Sequence, residues 1–302
     1  MADIHSVLSK LPNLPDFIKY NAVLALSIGL GKNIKALTDI PAAFLEGIAK
    51  TKRADTEAKI LIKNAAAKSA AQKFENDENL AERALEYYGG KLVAEQINRD
   101  QVAIKMLNNL PAVTNKTNAD KQIDEDWLTM FWNISSTKSK EDVQEILSKI
   151  LASEVVSPGS ISPKTIQILS LLTSEIGNSF QRFCNLTLAH GDQTIFIHPH
   201  VFPFQQMGRL ENIGIDNNDL FTLEGADLIR SAECTMFNYP ESENYEHVVF
   251  DYAGRSMELN ISGKQLQLIL LTQAGRELRN LFQLTENLEY TSLLMETLDQ
   301  TK

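Results

Sequence analysis

The chain has 302 residues, with 29 Lys and Arg against 39 Asp and Glu, a formal net charge of −10. That length suits two domains, each able to bury its own core, and hydrophobic and charged fractions of 43% and 23% exclude a disordered tract or a collagen-like repeat. Residues 1–74 carry 11 Lys and Arg against 6 Asp and Glu, which leaves −15 on the remainder, and an acidic body argues against nucleic acid as the main ligand because phosphate binding needs a positive field.

Cys184 and Cys234 are the two cysteines, far apart and without metal-type spacing. This fits a reducing compartment and no disulfide framework. Met1-Ala2-Asp3 starts acidic and lacks the charged-then-apolar order of a secretory signal. The longest uncharged apolar run, Tyr20 to Gly31, is shorter than the roughly 20 residues that span a bilayer. A cytoplasmic protein, with peripheral contact at the inner membrane, is the expectation.

In chain order, Pro12 and Pro15 interrupt two short amphipathic pieces. The segment from Phe17 to Leu37 is apolar and flanked by Lys19, Lys32 and Lys35. Leu24 and Leu26 point in widely different directions on a helix, as do Ile28 and Leu30, so one neighbour is not enough to cover it. Phe17, Ile18, Val23, Leu24, Ile28 and Leu30 are therefore candidate contacts for assembly or a membrane. Two readings stand: a buried helix or subunit contact, and an interfacial helix whose lysines snorkel beside an apolar face.

Asp39 and Pro41 read as the cap and first turn of a long helix to about Lys73. A second helical stretch starts near Leu80, with Gly89-Gly90 as a break, and Val93, Ile97, Ile104 and Leu107 carry it to Leu110. Residues 111–122 are polar and read as a linker.

The strongest pattern lies between Asp124 and Leu169. Trp127, Phe131 and Ile134 recur at helical spacing, and Val143, Ile146, Leu147, Ile150 and Leu151 form an apolar stripe. Asp124 to Asp126 suit a helix first turn. Ser139 three residues before Asp142 is a weak capping box. Ser157-Pro158-Gly159-Ser160 is a turn, and Ser162-Pro163 opens a further helix expected to reach Leu188. Trp127 is read as core. Adjacent Phe131 and Trp132 cannot share one helix face, which leaves Trp132 as a candidate partner contact.

After His190 the pattern becomes mixed. Strands are expected at Ile195–Ile197, 233–239 and 267–271, with a hairpin of 247–252 and 255–261 around Ala253-Gly254. Asn217 to Ala232 reads as a helix and turn. Thr272 caps a helix, and the tail continues helically to about Leu298. Asp227-Leu228-Ile229 followed by LTQAGREL at 271–278 resembles the helix end and post-wing segment of a winged-helix module.

No pattern displays a reaction. His190, His198 and His200 lie near Asp192, but Pro199 disturbs a strand there and no Cys or Glu completes a metal spacing. The acidic clusters read as solvated runs, and Gly29-Leu30-Gly31-Lys32 lacks P-loop spacing. No catalytic residue, metal or cofactor is expected.

The block from Asp124 to Ile166 resembles a bacterial family known as a domain of unknown function. The resemblance rests on Asp124, Asp126, Trp127 and Phe131, then Asp142-Val143-Gln144, Ile150 to Glu154, and Pro158 to Ile166. It implies a bacterial cytoplasmic protein, with some members among mobile-element and phage-defence genes, and names no catalytic residue.

The fold expected is mainly α with an α+β C-terminal part. A helical N-terminal region occupies 1–110, a linker 111–122, and an α+β domain 123–302. That domain divides into a helical block, 123–189, and a winged-helix-like part with a small sheet, 190–302. The expected function is a non-enzymatic sensing or effector protein in anti-phage defence. Its partners would be itself, a protein trigger and an anionic inner-membrane surface. The alternative is a DNA-binding regulator.

Overall fold

A computed structural model describes residues 14–30, 78–110, 121–198 and 210–298. The helix expected from Asp39 to Lys73 and most of the linker lie outside these residues. Contacts group the chain into two units, Met1–Ser160 and Ile161–Lys302. The division therefore falls at 160/161 rather than at 123. The reason is that the helices on both sides of the polar segment at 111–122 bury their apolar faces on each other.

In the first unit, helices α1 (Asp16–Leu30), α2 (Glu78–Asn109), α3 (Glu125–Ser135) and α4 (Glu141–Val156) form the core. Helix α1 packs against all three others, and α2 packs along α4. Ile18, Ala22, Val23, Leu24, Ala25, Leu26 and Leu30 of α1 are buried. Each large apolar side chain so covered stabilises the fold by about 1.5–3 kcal/mol. The one polar side chain buried in α1, Asn21, is fully used. Its amide donates to the main-chain oxygens of Lys121 and Val155 at 3.3 and 3.2 Å, and its Oδ1 accepts from Ile123 N–H.

Helix α3 starts where the sequence indicates, with Asp124 Oδ1 accepting from Trp127 N–H at 2.8 Å. Helix α4 does not use Ser139. Its cap is Lys140, which makes no side-chain capping bond, and Asp142 accepts from its own neighbour Val143 N–H instead. Helix α2 runs unbroken through Gly89-Gly90. Two glycines cost about 1 kcal/mol each relative to alanine, and Ala, Leu, Glu and Lys around them offset that cost.

In the second unit the expected helix from Pro163 is two: α5 (Pro163–Leu169) and α6 (Ser174–Cys184). Thr173 accepts from Ile176 N–H and restarts the helix, while Leu188 belongs to a strand. Strands β1 (Leu188–His190), β2 (Gln193–Ile197), β3 (Thr235–Asn238), β4 (Val248–Tyr252), β5 (Arg255–Leu259) and β6 (Gln265–Leu270) form one six-stranded antiparallel sheet. Its order is β3-β6-β2-β1-β4-β5. The small sheet expected is thus a larger one, and the Ala253-Gly254 hairpin occupies its edge rather than standing as a separate wing. Helix α7 (Asn217–Gly225) opens with a capping box between Asp216 and Asp219. The tail is also two helices, α8 (Gln273–Arg279) and α9 (Leu288–Leu298).

One face of the sheet is covered around Phe196. Phe196 of β2 meets Phe183 of α6 and Tyr290 of α9 with ring centroids 5.4 and 5.5 Å apart. The Tyr290 hydroxyl donates to Ile197 O and accepts from Ile197 N–H, finishing the strand.

Candidate functional site

Strand register places His190, Gln193, Ile195, Phe250, Leu268, Leu270 and Phe237 on one face of the sheet, because paired residues share a face and alternate ones return to it. The connection from β3 to β4 adds Tyr239, Asn244, Tyr245 and His247 to the lining, although the His247 ring pairs with Glu258, which the register of β4 and β5 places on the opposite face beside Val249. Together they enclose a cleft of about 420 Å³. That is a usual size for a small-molecule site, and so is an apolar lining with a few polar groups.

The wall is fixed by main-chain bonds. Tyr239 N–H donates to Lys264 O at 2.9 Å, Ile261 N–H to Tyr245 O at 2.8 Å, and Gly263 N–H to Pro240 O at 3.3 Å. Ser242 N–H donates to Ser262 Oγ at 2.9 Å. The turn at 260–264 therefore holds the connection over the sheet, helped by the positive φ of Gly263. Tyr239 and Tyr245 meet edge to face, with centroids 5.4 Å apart. Burial, then the neighbouring Tyr245, pushes the Tyr239 phenol up, so it remains a hydrogen-bond donor at neutral pH.

Both histidines of the cleft are anchored through Nδ1. His190 contacts Val249 O at 2.9 Å and His247 contacts the Glu258 carboxylate. Carbonyl and carboxylate oxygens accept, so each Nδ1 donates. His190 also lies against Phe250, centroids 5.6 Å apart. It stands at the mouth of the β1–β2 hairpin, whose Gly191 has φ +56°.

Of the sequence candidates, Ile18, Val23, Leu24 and Leu30 are buried inside the first unit, and Phe17 and Ile28 are half-buried. Helices α2, α3 and α4 supply the cover that the apolar surround of α1 demands, in place of a second subunit or lipid. Trp132 is likewise no surface contact. It is 2% exposed and its indole N–H donates to Ala25 O. Phe131 is buried as well, because α3 is covered on two sides rather than one. No helix of the described residues is long and apolar enough to cross a membrane, and no group of three metal-ligating side chains occurs among them. His200 lies outside them.

Among the described residues, α2 carries a cluster of exposed large apolar side chains spread around its N-terminal half. Tyr87, Tyr88, Leu92, Val93 and Ile97 are each at least half exposed. Helix α2 is twice as long as α4, so only its C-terminal half, with Val102, Ala103, Met106 and Leu107, finds cover. Tyr88 and Leu92 continue the face of Val102 and Met106 along the uncovered half.

Residues of the patterned block from Asp124 to Ile166, and a few beyond it, hold the fold. Glu154, 2% exposed, accepts from Gly159 N–H at 2.6 Å and Ser160 Oγ at 3.2 Å, which closes the turn after α4. Gln144 donates to Lys138 O at 2.9 Å. In the second unit Ser162 caps α5, and Glu277 accepts from Ser162 N–H and Thr165 Oγ1 at 2.7 and 2.6 Å. Lys164 pairs with Asp227 at 2.6 Å. Gly275 faces Leu228 O so closely that a Cβ would overlap it. The family described as a protein of unknown function (DUF2806) matches residues 82–295. The chain belongs to that family. No curated protein and no solved structure matches it. The family match takes in α2 to α6, the whole sheet and most of α9, and it leaves α1 outside.

The cleft escaped sequence reading. Its residues come from five strands and two connections, and none forms a local motif. The doublet of Tyr239 and Tyr245 flanking a polar turn is the one signal that points to it.

Proposed function

We propose that this protein is a sensor and effector. Its C-terminal unit captures a small ligand in the cleft over the sheet, and its N-terminal unit offers the open face of α2 to a second copy. The cleft carries the reading. Its wall and the His190 imidazole are held by neighbouring groups before a ligand arrives, which reduces the ordering cost of binding. The open aromatic and aliphatic side chains on α2 support the assembly half, because contiguous exposed apolar surface marks contact sites. Anti-phage defence, the context of the motif resemblance, belongs to this proposal. No Lys or Arg lines the cleft, which weighs against the regulator that binds DNA phosphates.

The test uses full-length protein and a Val248→Trp variant, in which the indole fills the cleft. Each is incubated with a deproteinised bacterial extract, desalted, denatured and analysed by mass spectrometry for released small molecules. Wild type is expected to retain a compound that the variant does not. Equal retention by both, or none by either, overturns the reading.

A further inference from the structure

We infer that the ligand of the cleft is a short basic peptide in extended conformation, which joins the sheet as a further strand along β3 and places one apolar side chain in the cleft. This deepens the ligand-binding reading above and rests on it.

A free edge comes first. Strand β3 stands at one end of the sheet order. Tyr239 N–H donates to Lys264 O at 2.9 Å, and on the far side of β6 His198 N–H donates to Gln267 O at 2.8 Å. Main-chain groups alternate in direction along an antiparallel ladder. With Thr235 opposite Leu268 and Phe237 opposite Leu266, it is Thr235, Phe237 and Tyr239 that bond β6. The N–H and C=O of Met236 and Asn238 therefore point outward, and among the described residues no hydrogen bond reaches them there. Such an unpaired row is a template for another strand. The opposite edge, β5, carries the exposed charges of Arg255 and Glu258, which discourage addition, whereas Thr235-Met236-Phe237-Asn238 carries none. Cys234, with φ +62°, and Pro240 bound the usable stretch at 235–239.

Side-chain direction comes second. Every pairing in this sheet is antiparallel, and a peptide added in the same sense bonds Met236 and Asn238 through the two residues opposite them. The residue between those two lies opposite Phe237 and shares its face. Phe237 lines the cleft with Tyr239, Tyr245 and Leu268, and the lining has no Asp, Glu, Lys or Arg. The middle residue is thus apolar, and an aromatic ring suits the aromatic wall. Main-chain bonds with a pocket for one side chain are the usual division of work in strand addition.

Charge comes third. Glu233 just before β3, and Glu241, Glu243 and Glu246 after it, are exposed, and residues 231–254 hold no Lys or Arg. Lys264 gives its ammonium to Leu298 O. Basic residues at the ends of the peptide complement this acidic surround.

Isothermal titration of the full-length chain uses acetylated, amidated Lys-Thr-Phe-Thr-Lys. Three relatives each remove one feature. N-methylation of both threonines removes the N–H groups aimed at the oxygens of Met236 and Asn238, Lys-Thr-Ala-Thr-Lys lacks the anchor, and Glu-Thr-Phe-Thr-Glu reverses the charge. Each is expected to bind at least tenfold more weakly than the parent. Asn238→Pro removes an outward N–H and leaves the β6 ladder whole. It is expected to weaken the parent peptide about tenfold with an unchanged melting temperature; if it unfolds the chain, the N-methylated peptide on wild type decides the matter alone. The inference is overturned if the parent does not bind, if any of the three relatives binds as tightly, or if folded Asn238→Pro binds like wild type. Should it fall while Val248→Trp still abolishes retention of an extract ligand, the cleft reading survives with a ligand that is not a peptide strand. If that variant retains the same compounds as wild type, the cleft reading itself falls.

Discussion

The indole N–H of Trp132 in α3 donates to the main-chain oxygen of Ala25 in α1 across 2.9 Å, with both residues buried. In a regular helix that oxygen already faces the N–H four residues on, at Gly29. The ring reaches it because Gly29 has no side chain. A Cβ built there would overlap the indole carbons. Close helix approach, a satisfied indole and the glycine are one feature.

Gly29→Val is therefore expected to force α1 and α3 apart, at a cost of about 1–3 kcal/mol for overpacking. Trp132→Ala should cost more, about 3–5 kcal/mol, by leaving a cavity. Urea unfolding followed by the Trp127 fluorescence measures both. If the double variant Gly29→Val/Trp132→Ala is no more stable than the sum of the single effects, the two side chains do not share one space.

Residues 161–302 are expected to fold without the rest, because their sheet and helices form their own contact unit. A fragment starting at 123 keeps α3 and α4 but strips away α1 and α2, exposing Trp132, Leu128 and Ile150. Calorimetry of the two fragments decides the matter. A cooperative transition for 161–302 and aggregation of 123–302 is the expected pair of results.

Tyr88→Glu combined with Leu92→Glu is expected to convert an assembled full-length chain to monomer while changing stability by no more than about 0.5 kcal/mol, since both side chains are already exposed. Light scattering after size exclusion reads the mass. Leu24→Glu serves as the contrast. It places a charge in a buried position and should unfold the first unit rather than change its assembly.

Burial raises the Tyr290 phenol well above its ordinary value of 10.0, and the Ile197 hydrogen bond only partly opposes this. The folded state then keeps a proton that the unfolded chain gives up, so this contribution is complete below pH 10 and is lost as pH rises beyond it. Chemical unfolding between pH 8 and 11 should show stability falling above about pH 10. Tyr290→Phe should be less stable at pH 8 by about 1–3 kcal/mol, with Ile197 left unpaired, and should lose less on going to pH 11. An unchanged alkaline slope in the variant would assign the loss to other groups, of which Tyr252 and Tyr239 are also raised by burial.

Local chemistry was legible wherever a short stretch decides its own conformation. Asp124, Ser162 and Thr272 cap helices because a side-chain oxygen reaches an N–H two or three residues on. The hairpin at Ala253-Gly254 and strands overlapping the expected 195–197, 233–239 and 267–271 follow from turn residues and alternation. The apolar surround of α1 correctly demanded cover on several sides. What only the tertiary structure decided is who provides it. Burial depends on which surfaces meet, and a periodic stripe has no address for its partner, so α1 stayed open between a buried helix or subunit contact and an interfacial one, and Trp132 read as a contact, when both are buried. The same limit hid the cleft. His190 and Tyr245 stand 55 positions apart in the chain, and only the register of β1 against β2 and β4, with a connection pinned at residues 260–264, brings both to one cleft.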